Sequence, residues 1–88
     1  MYYTYILLLK NGDLYKGSSN NLRQRLTEHT QGKVEATKHQ RPFKLILYEC
    51  YLLRSDAERR ERFLKTTEGR RLLKQQIRDS LKELNMLP

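Results

Sequence analysis

Apolar and polar residues change their spacing repeatedly along the chain. The first stretch, YYTYILLLK (residues 2–10), is apolar, aromatic and partly β-branched; Asn11-Gly12 follows, and DLYKG (residues 13–17) resumes the pattern. Two strand-like runs around an Asn-Gly dipeptide predict a β-hairpin within the first eighteen residues. A two-residue loop of Asn11 and Gly12 sets Leu8 opposite Tyr15 and sends Tyr5 and Tyr15 to opposite faces. A three-residue loop, Lys10-Asn11-Gly12, with a type I turn and left-handed Gly12 in a bulge, pairs Leu7 with Tyr15 and Tyr5 with Gly17. It gathers the tyrosines on one face and leaves open space over Gly17; local chemistry is compatible with either loop.

Asn20 or Asn21 then offers a helix cap, with Gln24 three residues after Asn21, and a helix is expected to about Thr30, ahead of Gly32. GKVEATKHQRP (residues 32–42) has no period and ends in a proline, so it reads as a loop. FKLILYECY (residues 43–51) is a third strand. Its unbroken apolar centre, Leu45 to Tyr48, suggests burial on both faces and a central place in the sheet. Ser55 and Glu58 have capping-box spacing at the start of SDAERRERFLK, a second helix. From about Glu68 to Leu84 a last helix carries Leu73, Ile77, Leu81 and Leu84 on one stripe, with Arg71, Lys74 and Arg78 among the polar positions. The pattern describes an α+β chain in the order β-β-α-β-α-α.

Length adds that residues 1–88 form one domain, because halves would be too small to bury a core unaided. The single cysteine, Cys50, excludes an internal disulfide, reads as a small core residue, and fits a reducing, cytoplasmic setting. The apolar run from Tyr5 to Leu9 is too short for a signal peptide or a span, so a soluble protein is expected. Eighteen Lys and Arg against ten Asp and Glu give a formal charge of +8 and a pI near 9.9. Such a charge fits a polyanion partner, nucleic acid ahead of a membrane.

Candidate chemistry follows from the helical faces. Leu22, Arg25, Leu26 and His29 share one face of the first helix, so Arg25 and His29 flank the stripe that docks on the sheet. Each is also compatible with a structural role: Arg25 paired with a carboxylate, His29 satisfied at a boundary. Ala57, Glu61, Leu64 and Lys65 share a face of the second helix and set a carboxylate within an apolar stripe. Such a carboxylate needs an arginine or a divalent cation; Glu49 is a second candidate. Zinc and P-loop constellations are absent, and Ser18 and Ser19 read as turn and cap residues. Tyrosines, an arginine, a histidine, a glutamate and basic charge form an inventory suited to phosphodiester hydrolysis.

YTYIL, YKG, LRQRLTEH, DAERRERFLK and TKHQRPFKLILYE stand in the order and at the spacing of the GIY-YIG nuclease superfamily, and over nearly its whole length the chain resembles the short single-domain bacterial members, often called excinuclease- or endonuclease-like. The resemblance implies a small three-stranded antiparallel sheet flanked by helices, and divalent-metal-dependent endonuclease activity on DNA, structure-selective or non-specific. It implies a site of Tyr5, Tyr15, Arg25, His29 and Glu61, with Gly17 structural in that site and Glu61 holding one Mg²⁺ or Mn²⁺. Nucleic acid contacts are expected from Lys16, Lys33, Lys38, Arg41, Lys65, Arg71, Lys74 and Arg78. The chain departs from the pattern in reading Tyr3-Thr4-Tyr5 and Tyr15-Lys16-Gly17 at the two signatures, and in carrying Ser18 where several relatives have lysine. A binding module without turnover is the alternative.

Overall fold

In a computed structural model that describes residues 1–85, three strands form one antiparallel sheet in the order β2-β1-β3. They are β1 (Tyr2–Leu8), β2 (Leu14–Ser19) and β3 (Lys44–Tyr51). The helices are α1 (Leu22–Thr30), α2 (Arg54–Leu64), α3 (Thr67–Gln76) and α4 (Arg78–Asn85). Among the described residues, no helix is long and apolar enough to cross a membrane.

The hairpin takes the three-residue loop. Gly12 N–H donates to Leu9 O at 2.9 Å, Leu9 N–H donates to Asp13 O at 2.9 Å, and Gly12 adopts a φ of 91°. A left-handed residue after a tight turn twists the strands into the register that pairs Tyr5 with Gly17 and Leu7 with Tyr15. Asn21 caps α1 by accepting from Gln24 N–H at 3.0 Å, whereas its own N–H donates to Ser19 Oγ. Ser19 thereby fills the place that Gln24 would take in a reciprocal capping box.

The central strand is β1, not β3: Thr4, Tyr5, Ile6 and Leu7 are all buried. On β3, Leu45 and Tyr48 are exposed. The unbroken apolar run of β3 has a different cause from burial on both faces. Between the pairs Ile6–Leu47 and Leu7–Leu45 the ladder slips by one residue, and both Ile46 and Leu47 pack on the core under α2 and α3. A bulge turns two successive side chains toward one face, which strict alternation would not allow. Cys50, on the same edge strand, is exposed, not a core residue.

Two apolar clusters sandwich the sheet. Ile6, Leu64, Leu73 and Ile77 form one. Tyr5, Leu7 and Leu9 form the other, with Leu22 and Leu26 of α1 against them. Helix α2 begins at Arg54 after Leu53 without a side-chain cap, so the Ser55 capping box does not form. A tertiary bond anchors its first turns instead: Thr4 Oγ1 donates to Ala57 O at 2.8 Å. The single last helix expected from the pattern is two helices, making the order β-β-α-β-α-α-α. Ile77 leaves helical geometry at φ −110° and ψ 24°, yet stays buried. The bend lets Leu81 pack on the cluster that Leu73 and Ile77 have already filled.

Candidate active site

β2 is an edge strand, and alternation along it presents Tyr15 and Gly17 to the α1 side and Lys16 and Ser18 to the α2 side. The candidate residues therefore collect on two faces that meet around the β2 edge. On the α1 side, Tyr5, Tyr15 and His29 form a triangle of rings, with centroids 6.2 Å apart for the tyrosines and 5.7 and 5.1 Å from each to His29. Gly17 is needed beneath them, because a Cβ there would lie 2.5 Å from Tyr5 Cζ and Oη. The space expected over Gly17 is thus filled by the Tyr5 phenol itself.

Tyr5 and His29 are both 0% exposed. Tyr5 Oη and His29 Nε2 are 2.8 Å apart, and His29 Nδ1 and Thr37 Oγ1 are 2.8 Å apart. Thr37 Oγ1 in turn donates to Val34 O at 3.5 Å. One proton arrangement satisfies this chain: the Thr37 hydroxyl accepts from Nδ1–H, which leaves Nε2 bare to accept from the Tyr5 hydroxyl. Electrostatics agree. Burial pushes the Tyr5 phenol up to about 12; neighbouring Arg25 opposes this, and the charges of Tyr15 and Glu61 add to it. Burial and then the Arg25 charge lower His29 from its ordinary 6.5, against a smaller opposing effect of Glu28. Both groups stay neutral near pH 7.

A stability window follows. Unfolded His29 takes a proton near its ordinary 6.5, while folded His29 takes one only at lower pH. In that interval the unfolded chain binds more protons, so stability is full above about pH 6.5 and is lost as pH falls through the folded value. Thermal melts at a series of pH values are expected to show a fall beginning near 6.5 that His29→Asn lacks. An unchanged pH profile in that variant would remove His29 as its source.

Arg25 and Tyr15 stay partly exposed above the buried pair. Arg25 Nη1 donates to Glu28 Oε1 at 3.0 Å, leaving its other guanidinium N–H groups beside the two tyrosines; Glu28 is the largest influence raising Arg25 above its usual range. Across the strand, Glu61 Oε1 accepts from Ser18 Oγ at 2.6 Å and Glu61 Oε2 pairs with Lys65 Nζ at 2.6 Å. The Glu61 side chain is 20% exposed. Its partner is therefore a lysine and a serine, not an arginine. Glu49 does take the arginine: Arg60 Nε donates to it at 3.0 Å. Among the described residues no three His, Cys, Asp or Glu side chains cluster as a metal cage. One carboxylate still fits a cation of the Mg²⁺ type, which keeps several waters and fills its shell from substrate phosphate. Glu61 would hold it once Lys65 releases Oε2.

The basic residues separate. Lys38 pairs with Glu35, Lys65 with Glu61, Arg71 with Glu68 and Arg78 with Asp79. Arg41 donates to Lys38 O and Thr30 O, each at 2.9 Å, and so fastens the loop to the end of α1. Lys33 is exposed on that loop. Lys16 and Lys74 meet at one place, with Arg70, in a cleft beside the hairpin turn. Sequence reasoning missed Arg70, Thr37 and the Ser18–Glu61 bond. The i, i+4 spacing of Arg70 and Lys74 was a usable signal for the first; a bond spanning 43 positions leaves no periodic trace.

Residues 1–75 match the family described as GIY-YIG catalytic domain. The UPF0213 protein of Bacillus pumilus is 36% identical over 66 residues, 74% of this chain and 67% of that protein. A UPF0213 protein of Staphylococcus haemolyticus is 36% identical over 74 residues, 83% of this chain and 90% of that one. The solution NMR structure of the UPF0213 protein BH0048 from Bacillus halodurans is similar with a TM-score of 0.53 and 28% identity, covering 83% of this chain and 82% of that one.

Proposed function

Because the chain belongs to the GIY-YIG catalytic-domain family, a nuclease-type family, we propose that it acts as a single-domain, divalent-metal-dependent endonuclease that hydrolyses phosphodiester bonds in DNA. One observation carries this reading: Tyr15, Arg25 and Glu61 reach the same edge strand and remain accessible, while Tyr5 and His29 are locked beneath them. Hydrolysis forms one P–O bond from water and breaks another, while negative charge builds on the phosphoryl oxygens. Arg25 holds those oxygens, and Tyr15, the tyrosine that solvent reaches, orients the attacking water. Tyr5 and His29 are positioning residues: their hydrogen-bonded chain through Thr37 fixes the ring stack against which Tyr15 and Arg25 are set. Glu61 would hold a Mg²⁺ or Mn²⁺ ion, which would supply positive charge at the leaving oxygen.

The competing reading, a nucleic-acid-binding module without turnover, is favoured by one fact: both Glu61 oxygens are already engaged, by Ser18 and Lys65. Plasmid, branched and single-stranded DNA incubated with Mg²⁺ or Mn²⁺ separate the two. Cleavage is expected, stopped by a chelator and reduced about 10²-fold or more in Arg25→Ala, on the scale of losing one transition-state donor. Arg25→Ala cutting as fast as the wild type, or binding without any cleavage, would overturn the nuclease reading.

A further inference from the structure

A cleft of about 370 Å³ opens between the hairpin turn and α3, lined by Gly12, Asp13, Leu14, Lys16, Arg70 and Lys74. Three cations converge there. Arg70 and Lys74 are one helical turn apart on α3 and point to the same wall, while Lys16 projects from β2 across the gap. Lys38, Lys65, Arg71 and Arg78 are each paired with a carboxylate, whereas Lys16, Arg70 and Lys74 form no ion pair among the described residues. Asp13, the acid on the rim, is tied up in the turn, where Oδ2 accepts from Asn11 Nδ2 at 3.0 Å. Burial, followed by the charges of Arg70, Lys74 and Lys65, lowers the Lys16 ammonium from its ordinary value, against a smaller opposing effect of Asp13. Gathering like charges around a partly desolvated lysine opposes folding, and an anion seated between them reverses the penalty.

The position of the cleft narrows the choice of anion. Lys16 and Ser18 lie on the same face of β2, two residues and thus about 6.6 Å apart. Ser18 holds Glu61. The cleft therefore lies beside the Glu61 side of the candidate active site, on the same face of the same strand. We propose that Lys16, Arg70 and Lys74 form a binding site for a non-scissile backbone phosphate of nucleic acid, fixing the substrate's register relative to Glu61. The position of this register depends on the nuclease reading; the phosphate site itself does not.

The test is equilibrium binding of a short fluorescein-labelled DNA duplex at increasing KCl. The wild type is compared with Lys16→Gln/Arg70→Gln/Lys74→Gln and with a control of equal charge change, Arg54→Gln/Arg59→Gln/Lys82→Gln. The cleft variant is expected to bind at least about tenfold more weakly at low salt, with the slope of log affinity against log salt reduced by about 1–2. The control should keep most of the slope. Without DNA, the cleft variant should melt at a higher temperature than the wild type, because the repulsion among three cations outweighs the attraction of Asp13 for Lys16; a structural role would lower it. Equal loss in control and cleft variants would overturn the site. Displacement of the duplex by inorganic tripolyphosphate at matched phosphate concentration would assign the cleft to a small phosphate instead and overturn the nucleic acid assignment. Parallel cleavage assays keep the two readings apart: a cleft variant that binds normally refutes the phosphate site whatever the cleavage result, and weakened binding supports it even where wild type does not cut.

Discussion

Glu61→Gln is expected to abolish metal-dependent cleavage, by at least about 10²–10³-fold in rate, while leaving the fold nearly unchanged. The substitution keeps the shape of the side chain and an oxygen that can accept from Ser18 Oγ. What it removes is the negative charge, and with it the single carboxylate able to hold a cation at the β2 edge. The cost to stability is small because the Lys65 partner is half exposed, and pairs of that kind are worth about 0–1 kcal/mol. Losing the pair also frees the Lys65 ammonium, so DNA affinity should hold or rise as cleavage disappears. Nicking assays with Mg²⁺ and with Mn²⁺, beside thermal melts and duplex binding, read all three effects. Cleavage by Glu61→Gln at the wild-type rate would refute the assignment of the metal to this residue.

Gly69→Ala is expected to have the largest effect on stability. Gly69 lies in the first turn of α3, where its N–H donates to the capping Thr66 Oγ1 at 3.0 Å. A Cβ at this position would overlap the carbonyl group of Phe63, which is backbone in the last turn of α2 and has no rotamer by which to withdraw. The two helices would have to part, and Leu64 and Leu73, both 1% exposed, sit on either side of that junction. The expected cost is about 3 kcal/mol or more, a large share of the roughly 5–15 kcal/mol that holds a small domain together. For a chain of this size that is a fall in melting temperature of about 12 °C or more. A melt within a few degrees of wild type would show that the α2–α3 junction can open without loss. The same junction sets the two halves of the site, because Glu61 stands on α2 and Lys65 caps it, while Arg70 and Lys74 stand on α3.

Periodicity made the helical faces legible. Leu22, Leu26 and His29 dock as their spacing requires, and Ala57 and Leu64 bracket Glu61 on the inner face of α2. It failed where a residue obeys a distant neighbour. The apolar run of β3 suggests two buried faces, but a one-residue slip against β1 turns Ile46 and Leu47 to the same side. Ser55 and Glu58 have capping-box spacing, yet the N-cap of α2 is Leu53, two residues earlier, and the first turns are held by Thr4 of β1. The stripe of Leu73, Ile77, Leu81 and Leu84 predicts one straight helix; Leu73, Ile77 and Leu81 do pack on one core cluster and Leu84 is not part of it, and a bend at Ile77 is what keeps Leu81 on a sheet only three strands wide.

The sequence by itself determined the hairpin and the order of the first six elements, because strand alternation, helical period and turn chemistry act between near neighbours; Tyr5, Tyr15, Arg25, His29 and Glu61 as a candidate set came from the family resemblance of its motifs. Only the tertiary structure decided how those residues are placed. It buried Tyr5 and His29 in a bonded chain with Thr37, left Tyr15 and Arg25 open, tied Glu61 to Ser18 and Lys65, and gathered Lys16, Arg70 and Lys74 around one cleft. Burial and charge proximity set those placements, and both depend on contacts between segments separated by tens of residues, where local spacing carries no information.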